Sequence, residues 1–93
     1  MQTIYKYPIT ELPGHNYIQL PKNYQILKLG YDPNNTLCIW ALVNPENEKV
    51  DIDITLVGTG WPLEINTEIV TYIDTINDGP YVWHAFEVIM YER

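Results

Sequence analysis

Two stretches of the chain carry residue types and spacings that could bind a ligand. In Gly58-Thr59-Gly60-Trp61-Pro62, two glycines allow backbone amides to approach a bound group closely, beside a hydroxyl and a large indole ring. In Tyr81 to Glu87, strand alternation places Trp83 and His84 on opposite faces. If Trp83 shares a cleft with Trp40, the two indoles make a stacking platform for a planar ring. The predicted ligand site comprises Gly58, Thr59, Gly60, Trp61, Pro62, Trp83, His84 and Trp40.

Each stretch also has a purely structural interpretation. The glycine-rich stretch is typical of a bulged strand exit in which Trp61 covers the core. A histidine flanked by Val82 and Phe86, as His84 is, commonly lies in a core and bonds a backbone group or a tyrosine. The sequence leaves both alternatives open.

The residues needed for catalysis are scarce. The chain has no serine, and its one thiol, Cys38, lies within an apolar run without a basic neighbour on its strand. His15 is expected in a turn and His84 in a strand, so no metal-binding pair forms by spacing. The one arginine is Arg93, so the charge clamp of a phosphoryl-transfer enzyme is missing. We therefore expect a protein that is not an enzyme and holds no cofactor or metal.

The net charge of -7 disfavours a nucleic-acid partner, because neutralising phosphates requires clustered cations. The five cations are scattered: Lys6, Lys22, Lys28, Lys49 and Arg93. Asp51 and Asp53 share a strand face and could hold a hard cation weakly, but a solvated face is the favoured interpretation. Mimicry of DNA is a weaker alternative, since an acid-rich hairpin is usually a solvated edge. The carboxylates that could support it are Glu46, Glu48, Asp51 and Asp53, around Lys49.

Length and composition predict a single folded domain over residues 1–93. Hydrophobic residues make up 46% and charged residues 18%, below the roughly 25% usual for soluble domains. The surplus of tyrosine and tryptophan predicts a homo-oligomer, because these residues are enriched at interfaces. No stretch resembles a signal peptide or an apolar membrane span, so we expect no membrane partner and a cytoplasmic location.

The longest apolar run, Leu37 to Val43, reads as a central strand that is apolar on both faces and must be covered on both. Six further extended segments are predicted: Ile4–Ile9, Tyr17–Leu20, Tyr24–Tyr31, Val50–Val57, Glu68–Ile76 and Tyr81–Tyr91. Pro8 assigns the first segment to a sheet edge. These elements predict an all-β fold, a small antiparallel β-sandwich or barrel of about seven strands with at most one short helical turn, near Leu63 to Thr67.

Local signals add three expectations. Leu12 to Asn16 is predicted to be a turn. Asp32 to Asn35 is expected to connect the third strand and the central strand as a hairpin. Val50 to Val57 alternates, so that Asp51, Asp53 and Thr55 are expected on a face that meets water.

The chain resembles a family of short phage and prophage proteins of unknown function. The resemblance rests on four stretches that together span most of the chain: Ile39–Pro45, Gly58–Pro62, Tyr72–Thr75 and Val82–Glu87. In that family the first motif ends Val-Asp-Pro, the second reads Gly-Thr-Gly-His-Pro and the third reads Tyr-Ile-Gly-Thr. This chain has Asn44, Trp61 and Asp74 at the differing positions. If the loop histidine of that family has a role in metal or proton chemistry, Trp61 cannot perform it, which favours binding by stacking and backbone amides.

The resemblance implies a viral origin and a role during infection. In size and style the chain is similar to phage sponges, compact homo-oligomers that capture cyclic nucleotide or cyclic ADP-ribose signals of bacterial defence systems. It implies a small nucleotide-like ligand, although the scarcity of Arg and Lys counts against a ligand rich in phosphates. The alternative is a phage accessory protein or inhibitor whose partner is a host protein.

Overall fold

Seven β-strands form, each overlapping a segment that the sequence predicts to be extended. The computed structural model describes residues 1–63, 65 and 70–91. Its strands are β1 (Thr3–Pro8), β2 (Gly14–Pro21), β3 (Gln25–Tyr31), β4 (Leu37–Val43), β5 (Lys49–Gly58), β6 (Val70–Asp78) and β7 (Tyr81–Ile89). All of their pairings are antiparallel. The predicted all-β antiparallel fold class is therefore confirmed. No helix in the described part is long and apolar enough to cross a membrane.

The strands form two sheets, which makes the molecule a sandwich. One sheet has three strands in the order β1-β4-β3, and the other has four in the order β2-β5-β7-β6. The apolar run of β4 is the middle strand of its sheet, as predicted. Pro8 ends β1, which lies at a sheet edge as predicted, because proline cannot donate to a ladder. The Asp32 to Asn35 segment joins β3 to β4 as the predicted hairpin.

The core lies between the two sheets. One face of β4 and one face of β5 supply most of it, and β2, β3 and β7 complete it. Its buried members include Leu37, Ile39, Ala41 and Val43 from β4, and Ile52, Ile54 and Leu56 from β5, with Leu20, Leu29, Trp83 and Ala85 around them. The alternating pattern of β5 predicts its inward residues correctly, because successive side chains of a strand point to opposite faces.

The second face of β4 is less covered than expected. Cys38 is buried there, while Trp40 and Leu42 are only half-buried, since no third layer packs on this sheet within the described residues. The prediction that both faces are covered is therefore wrong for this outer face. Burial raises the pKa of the Cys38 thiol, and the nearby Asp32 carboxylate adds to that effect. Cys38 is the small buried residue that the sequence predicts.

The predicted turn at Leu12 to Asn16 is shorter than expected. β2 already begins at Gly14, which has a φ of 140° and redirects the chain into the strand. His15 consequently lies in a strand opposite Thr55 rather than in a turn. This one shift in a strand boundary places the histidine on the outer face of the four-stranded sheet, where its ring faces β5.

The polar face of β5 is also not the solvated face that alternation predicts. Asp51 is exposed, but Asp53 and Thr55 are each only 5% exposed. Both residues lie between neighbouring strands: Asp53 faces Tyr17 and Val88, and Thr55 faces His15 and Phe86. Side chains from β2 and β7 therefore cover these two positions from either side.

Parts of two predicted elements lie outside the described residues. Of the predicted helical turn at Leu63 to Thr67, positions 64, 66 and 67 fall there. The first two residues of the predicted sixth strand, 68 and 69, fall there as well, and β6 is described from Val70 to Asp78.

Candidate functional site

The predicted glycine-rich stretch, Gly58 to Pro62, forms a tight corner at the end of β5. The Trp61 N–H donates to the Gly58 carbonyl at 3.1 Å, which closes a turn. Gly60 has a φ of 82°, a conformation that glycine adopts without the steric cost of a Cβ. We refer to residues 58–62 as the Trp61 corner. Its turn chemistry explains the glycine at position 60.

The indole of Trp61 rests directly on Gly58. A Cβ atom at Gly58 would lie 2.9 Å from Cε2 of Trp61, so that only glycine leaves room for the ring. The ring also meets Trp83 edge-on, with centroids 5.4 Å apart and planes at 82°. It is nevertheless 50% exposed. Trp61 thus covers the end of the core with one side and presents the remainder of an anchored aromatic ring to solvent.

A shallow recess lies on each side of Trp61. The first, of about 330 Å³, is lined by Gly58, Thr59, Trp61, Pro80, Tyr81, Val82 and Trp83, and we call it the tyrosine recess. The second, of about 210 Å³, is lined by Pro13, Gly14, His15, Thr55, Leu56, Val57, Trp61, Pro62 and Leu63, and we call it the histidine recess. In the tyrosine recess Tyr81 stacks on Trp83, with centroids 5.3 Å apart and planes 18° from parallel. The corner therefore combines aromatic surface with open space.

The histidine recess contains a hydrogen-bonded pair that sequence reasoning missed. Nδ1 of His15 lies 2.6 Å from Oδ2 of Asp53, and the Thr55 hydroxyl donates to the same oxygen at 2.8 Å. The Asn16 N–H donates to Oδ1 of Asp53 at 3.1 Å. The buried carboxylate thus accepts three hydrogen bonds, as buried charged groups generally require.

This pairing fixes the orientation and the tautomer of His15. A carboxylate only accepts hydrogen bonds, so Nδ1 carries the hydrogen. Nε2 is then the outward ring nitrogen, and no described residue bonds to it. The His15 side chain is 45% exposed and stacks beside Tyr17, with centroids 6.1 Å apart. Such a ring can accept a proton or hydrogen bond from a bound molecule, or donate one when protonated.

His84 lies on the outer face of the four-stranded sheet and is half-buried. Its Nε2 is 2.6 Å from the Thr59 hydroxyl, and its Nδ1 is 2.9 Å from the Thr75 hydroxyl. The hydroxyl of Tyr72 extends this chain of bonds to Thr75 at 2.7 Å. The interpretation of His84 as a core residue is therefore wrong. Both ring nitrogens are satisfied, and the histidine positions Thr59 at the Trp61 corner.

The structure does not gather all the predicted site residues. Trp83 is buried in the core, so its ring supports Trp61 and Tyr81 from below and offers little surface of its own. Trp40 lies on β4, on the outer face of the other sheet, beside Gly30. The shared cleft of Trp40 and Trp83 is therefore a wrong expectation, because the two rings belong to different sheets and Trp83 faces inward while Trp40 faces outward. Gly58, Thr59, Gly60, Trp61 and Pro62 lie together with the half-buried His84.

The sequence alone gives no signal for the His15 and Asp53 pair. Alternation places Asp53 on the same face of β5 as the exposed Asp51, so its pattern predicts a solvated acid. A buried Asp53 requires a partner. The partner comes from β2, a strand distant in sequence, so the cross-strand register was needed to find it.

The comparisons with known proteins give one match. Residues 1–92 match a family whose description is "Domain of unknown function (DUF7352)". Neither the curated proteins nor the solved structures contain a match to the chain.

Proposed function

The chain belongs to the DUF7352 family, and we propose that it is a non-enzymatic binding protein that holds a small nucleotide-like ligand at the Trp61 corner. One observation carries the proposal: Trp61 is anchored on Gly58 and against Trp83, yet half of its surface is open and borders two recesses. A rigid exposed indole gains stacking energy with any planar ring and loses little conformational entropy on binding.

His15 supplies the polar contact in this proposal. Its ring lines the histidine recess with Nε2 unbonded to any described residue, and Asp53 holds the ring in place, so the contact is preorganised. A net charge of -7 disfavours ligands with many phosphates. The class that fits is a purine or similar ring with few charges, such as a cyclic nucleotide or a cyclic ADP-ribose isomer.

The biological setting follows from the resemblance to phage proteins. In this proposal the protein acts in the host cytoplasm during infection, where it sequesters a nucleotide-derived immune signal. A sponge of this kind works by stoichiometry, so it requires affinity and abundance but no turnover. Its surplus of aromatic residues is expected to be buried in a homo-oligomer, which size-exclusion chromatography with light scattering tests directly.

Thermal shift against a panel of cyclic nucleotides and cyclic ADP-ribose isomers tests the binding. A ligand at 100 times its dissociation constant adds about 2.7 kcal/mol to the free energy of unfolding. A ligand stacked on Trp61 should also quench tryptophan fluorescence. Trp61→Ala should abolish both the thermal shift and this quenching. Trp40→Phe is the matched control, because Trp40 lies on the other sheet and should leave both signals intact. No shift with any member of the panel would eliminate the proposal.

The outer face of the four-stranded sheet favours a second candidate, a module that binds a host protein. Tyr17 and Tyr72 are 69% and 55% exposed on this face, and exposed tyrosines are typical anchors of protein interfaces. Pull-down from host lysate distinguishes the candidates. A stoichiometric partner lost on Tyr17→Ala and kept on Trp61→Ala would favour the module over the small-molecule site.

The His15 and Asp53 pair also permits a direct test of the non-enzymatic part of the proposal. An imidazole oriented by a carboxylate is the arrangement that general bases use. If the bound ligand is recovered unchanged after prolonged incubation, the protein is a sponge. If the protein instead converts the ligand, and a folded His15→Gln variant does not, the protein is an enzyme.

A further inference from the structure

A larger cleft, which we call the edge cleft, lies between the end strands of the two sheets. β3 ends one sheet and β6 ends the other, and each contains a bulge, at Leu27 and at Ile73. The cleft between them has a volume of about 440 Å³ and shares no lining residue with the two recesses at the Trp61 corner. Small-molecule sites typically have volumes of about 300–1,000 Å³.

Two carboxylates project into this cleft from the inner face of the four-stranded sheet. Asp74 lies opposite the buried Ala85, and Glu87 lies opposite the buried Ile54, so both side chains share the core-facing side of the sheet. They lie on adjacent strands beside the bulge at Ile73, and Oδ1 of Asp74 accepts a hydrogen bond from the Thr75 N–H at 2.8 Å. A core-facing position is costly for a carboxylate unless an opposite charge or hydrogen bonds compensate it.

A tyrosine holds Glu87 in place. The Tyr24 hydroxyl donates a hydrogen bond to Oε2 of Glu87, which fixes the carboxylate within the cleft. Burial and this bond to Glu87 raise the pKa of the Tyr24 phenol far above its ordinary value. The phenol therefore remains a neutral donor at physiological pH. Among the described residues no hydrogen bond to Oε1 is present, and this oxygen can accept from a ligand.

No cation of the described chain neutralises these two acids. Within the described residues, salt bridges join Lys6 to Asp32 and Lys22 to Glu48, and the His15 ring bonds to Asp53. Among the residues that the structure describes, Lys28 is the one cation that borders the cleft, and its side chain lies over Gly30 beside Trp40, on the outer face of the other sheet. The net charge of the whole chain, -7, adds to the attraction for a cation.

The rest of the lining mixes polar groups with aliphatic side chains, and more of its open surface is polar than apolar. The aliphatic part comes from Ile26 and Leu29 of β3, Ile73 of β6 and Ile89 of β7. Carboxylates beside such a mixed wall complement an ammonium group carried on a short aliphatic stem. A bare metal ion fits less well, because the described residues contain no group of three or more side chains that could ligate one.

We propose that the edge cleft is a binding site for an organic cation, an ammonium group on a short aliphatic chain, with Glu87 and Asp74 accepting its hydrogen bonds. Two sources carry this chemistry: a free polyamine and the lysine side chain of a peptide. The site is independent of the ligand at the Trp61 corner, so either proposal can fail without the other.

Isothermal titration of the full chain with spermidine, and separately with the tripeptide Gly-Lys-Gly, tests this site. Saturable binding at a stoichiometry of one is expected for at least one probe, and the tighter probe identifies the source. Glu87→Gln should weaken binding about tenfold or more, because it removes a charge-assisted hydrogen bond. Asp51→Asn is the matched control: it removes the same charge from an exposed site on the outer face and should change affinity less than about twofold.

Two outcomes would overturn the assignment. One is the absence of saturable binding by either probe, and the other is equal weakening by Glu87→Gln and Asp51→Asn, which would indicate general charge attraction. If circular dichroism shows that Glu87→Gln is unfolded, Asp74→Asn takes its place with the same expected loss. Unchanged affinity in a folded Asp74→Asn variant would then also reject the site.

Discussion

Substitution of Gly58 by alanine tests how the Trp61 corner is built. The new methyl group would lie 2.9 Å from Cε2 and 3.0 Å from Cδ2 of Trp61, closer than any stable contact, so the indole must leave its seat. The backbone of Gly58 has no positive φ, so the expected effect comes from this contact and not from backbone strain.

The magnitude follows from the buried half of the ring. A tryptophan buries about 150–250 Å² when fully packed, so a ring that is half-exposed buries roughly 100 Å². Exposing that area costs about 2.5 kcal/mol at 25 cal/mol per Å². Losing the edge-on contact with Trp83 adds about 0.5–1.5 kcal/mol. Alanine restricts the unfolded chain more than glycine does, which offsets about 0.4–1 kcal/mol of this loss. Partial repacking of the indole lowers the destabilisation further. We expect Gly58→Ala to lose about 1–3 kcal/mol of unfolding free energy.

A double-mutant cycle isolates the contact. In the background of Trp61→Ala the ring is absent, so Gly58→Ala should be neutral or stabilising by about 0.5 kcal/mol. The coupling free energy should therefore exceed about 1 kcal/mol. Gly79→Ala is the matched control: its φ of 57° strains an alanine, but no atom lies within 4 Å, so its cost should not depend on Trp61.

Urea unfolding followed by circular dichroism provides each free energy, and tryptophan fluorescence reports whether the indole has moved. The reasoning would be refuted if Gly58→Ala were neutral in the wild-type background. It would equally be refuted if the two substitutions were additive within about 0.3–0.5 kcal/mol, as independent sites are. Either result would show that Trp61 does not rest on Gly58 in solution.

Three further predictions concern polar and titratable groups. Asp53→Ala should destabilise the fold by about 1–3 kcal/mol in urea unfolding, because the buried Asn16 N–H loses its acceptor; a loss below 0.5 kcal/mol would contradict the burial of this carboxylate. The hydrogen bond from Lys6 lowers the pKa of Asp32 in the folded protein. The ionised carboxylate therefore stabilises the fold fully above its ordinary pKa of 3.8, and this stabilisation is lost as the pH falls through the lower folded pKa. Urea unfolding should show that Asp32→Asn destabilises the fold more at pH 7 than at pH 2.5, and an equal effect at both would reject the pair. Cys38, buried and with a raised pKa, should resist a thiol reagent at pH 7.5 until urea unfolds the protein, whereas fast labelling of the native state would show an open outer face on β4.

The sequence predicted the extended segments well because their signals are local. Prolines and the Asp32 to Asn35 turn mark where strands end, and alternation in β5 identifies its core residues. The Trp61 corner was found because glycine adopts the positive φ that tight turns require and proline fixes its own φ, so that both residues mark a turn locally. These features depend on the chemistry of neighbouring residues, which a sequence records directly.

The His15 and Asp53 pair could not be found in the same way. It depends on the register between β2 and β5, strands that lie far apart in sequence. The position of Trp40 depends on which strands share a sheet, and a pattern of single residues does not encode that choice. The edge cleft was missed for a related reason. Alternation gives the face of β7 on which Glu87 lies, but it does not show that β3 of the other sheet lies opposite that face and forms a cleft with it.

The strand order has a consequence for how the chain reaches its native state. Of the strand pairs, only β3 with β4 and β6 with β7 join strands that are consecutive in sequence. β1 pairs with β4 and β2 pairs with β5, which are both separated from them by two other strands. During synthesis β1 has no partner until β4 has emerged from the ribosome, and β2 has none until β5, in the second half of the chain, has emerged. Loops of this kind must close against chain entropy before their contacts compensate, so refolding on the millisecond-to-second scale is expected.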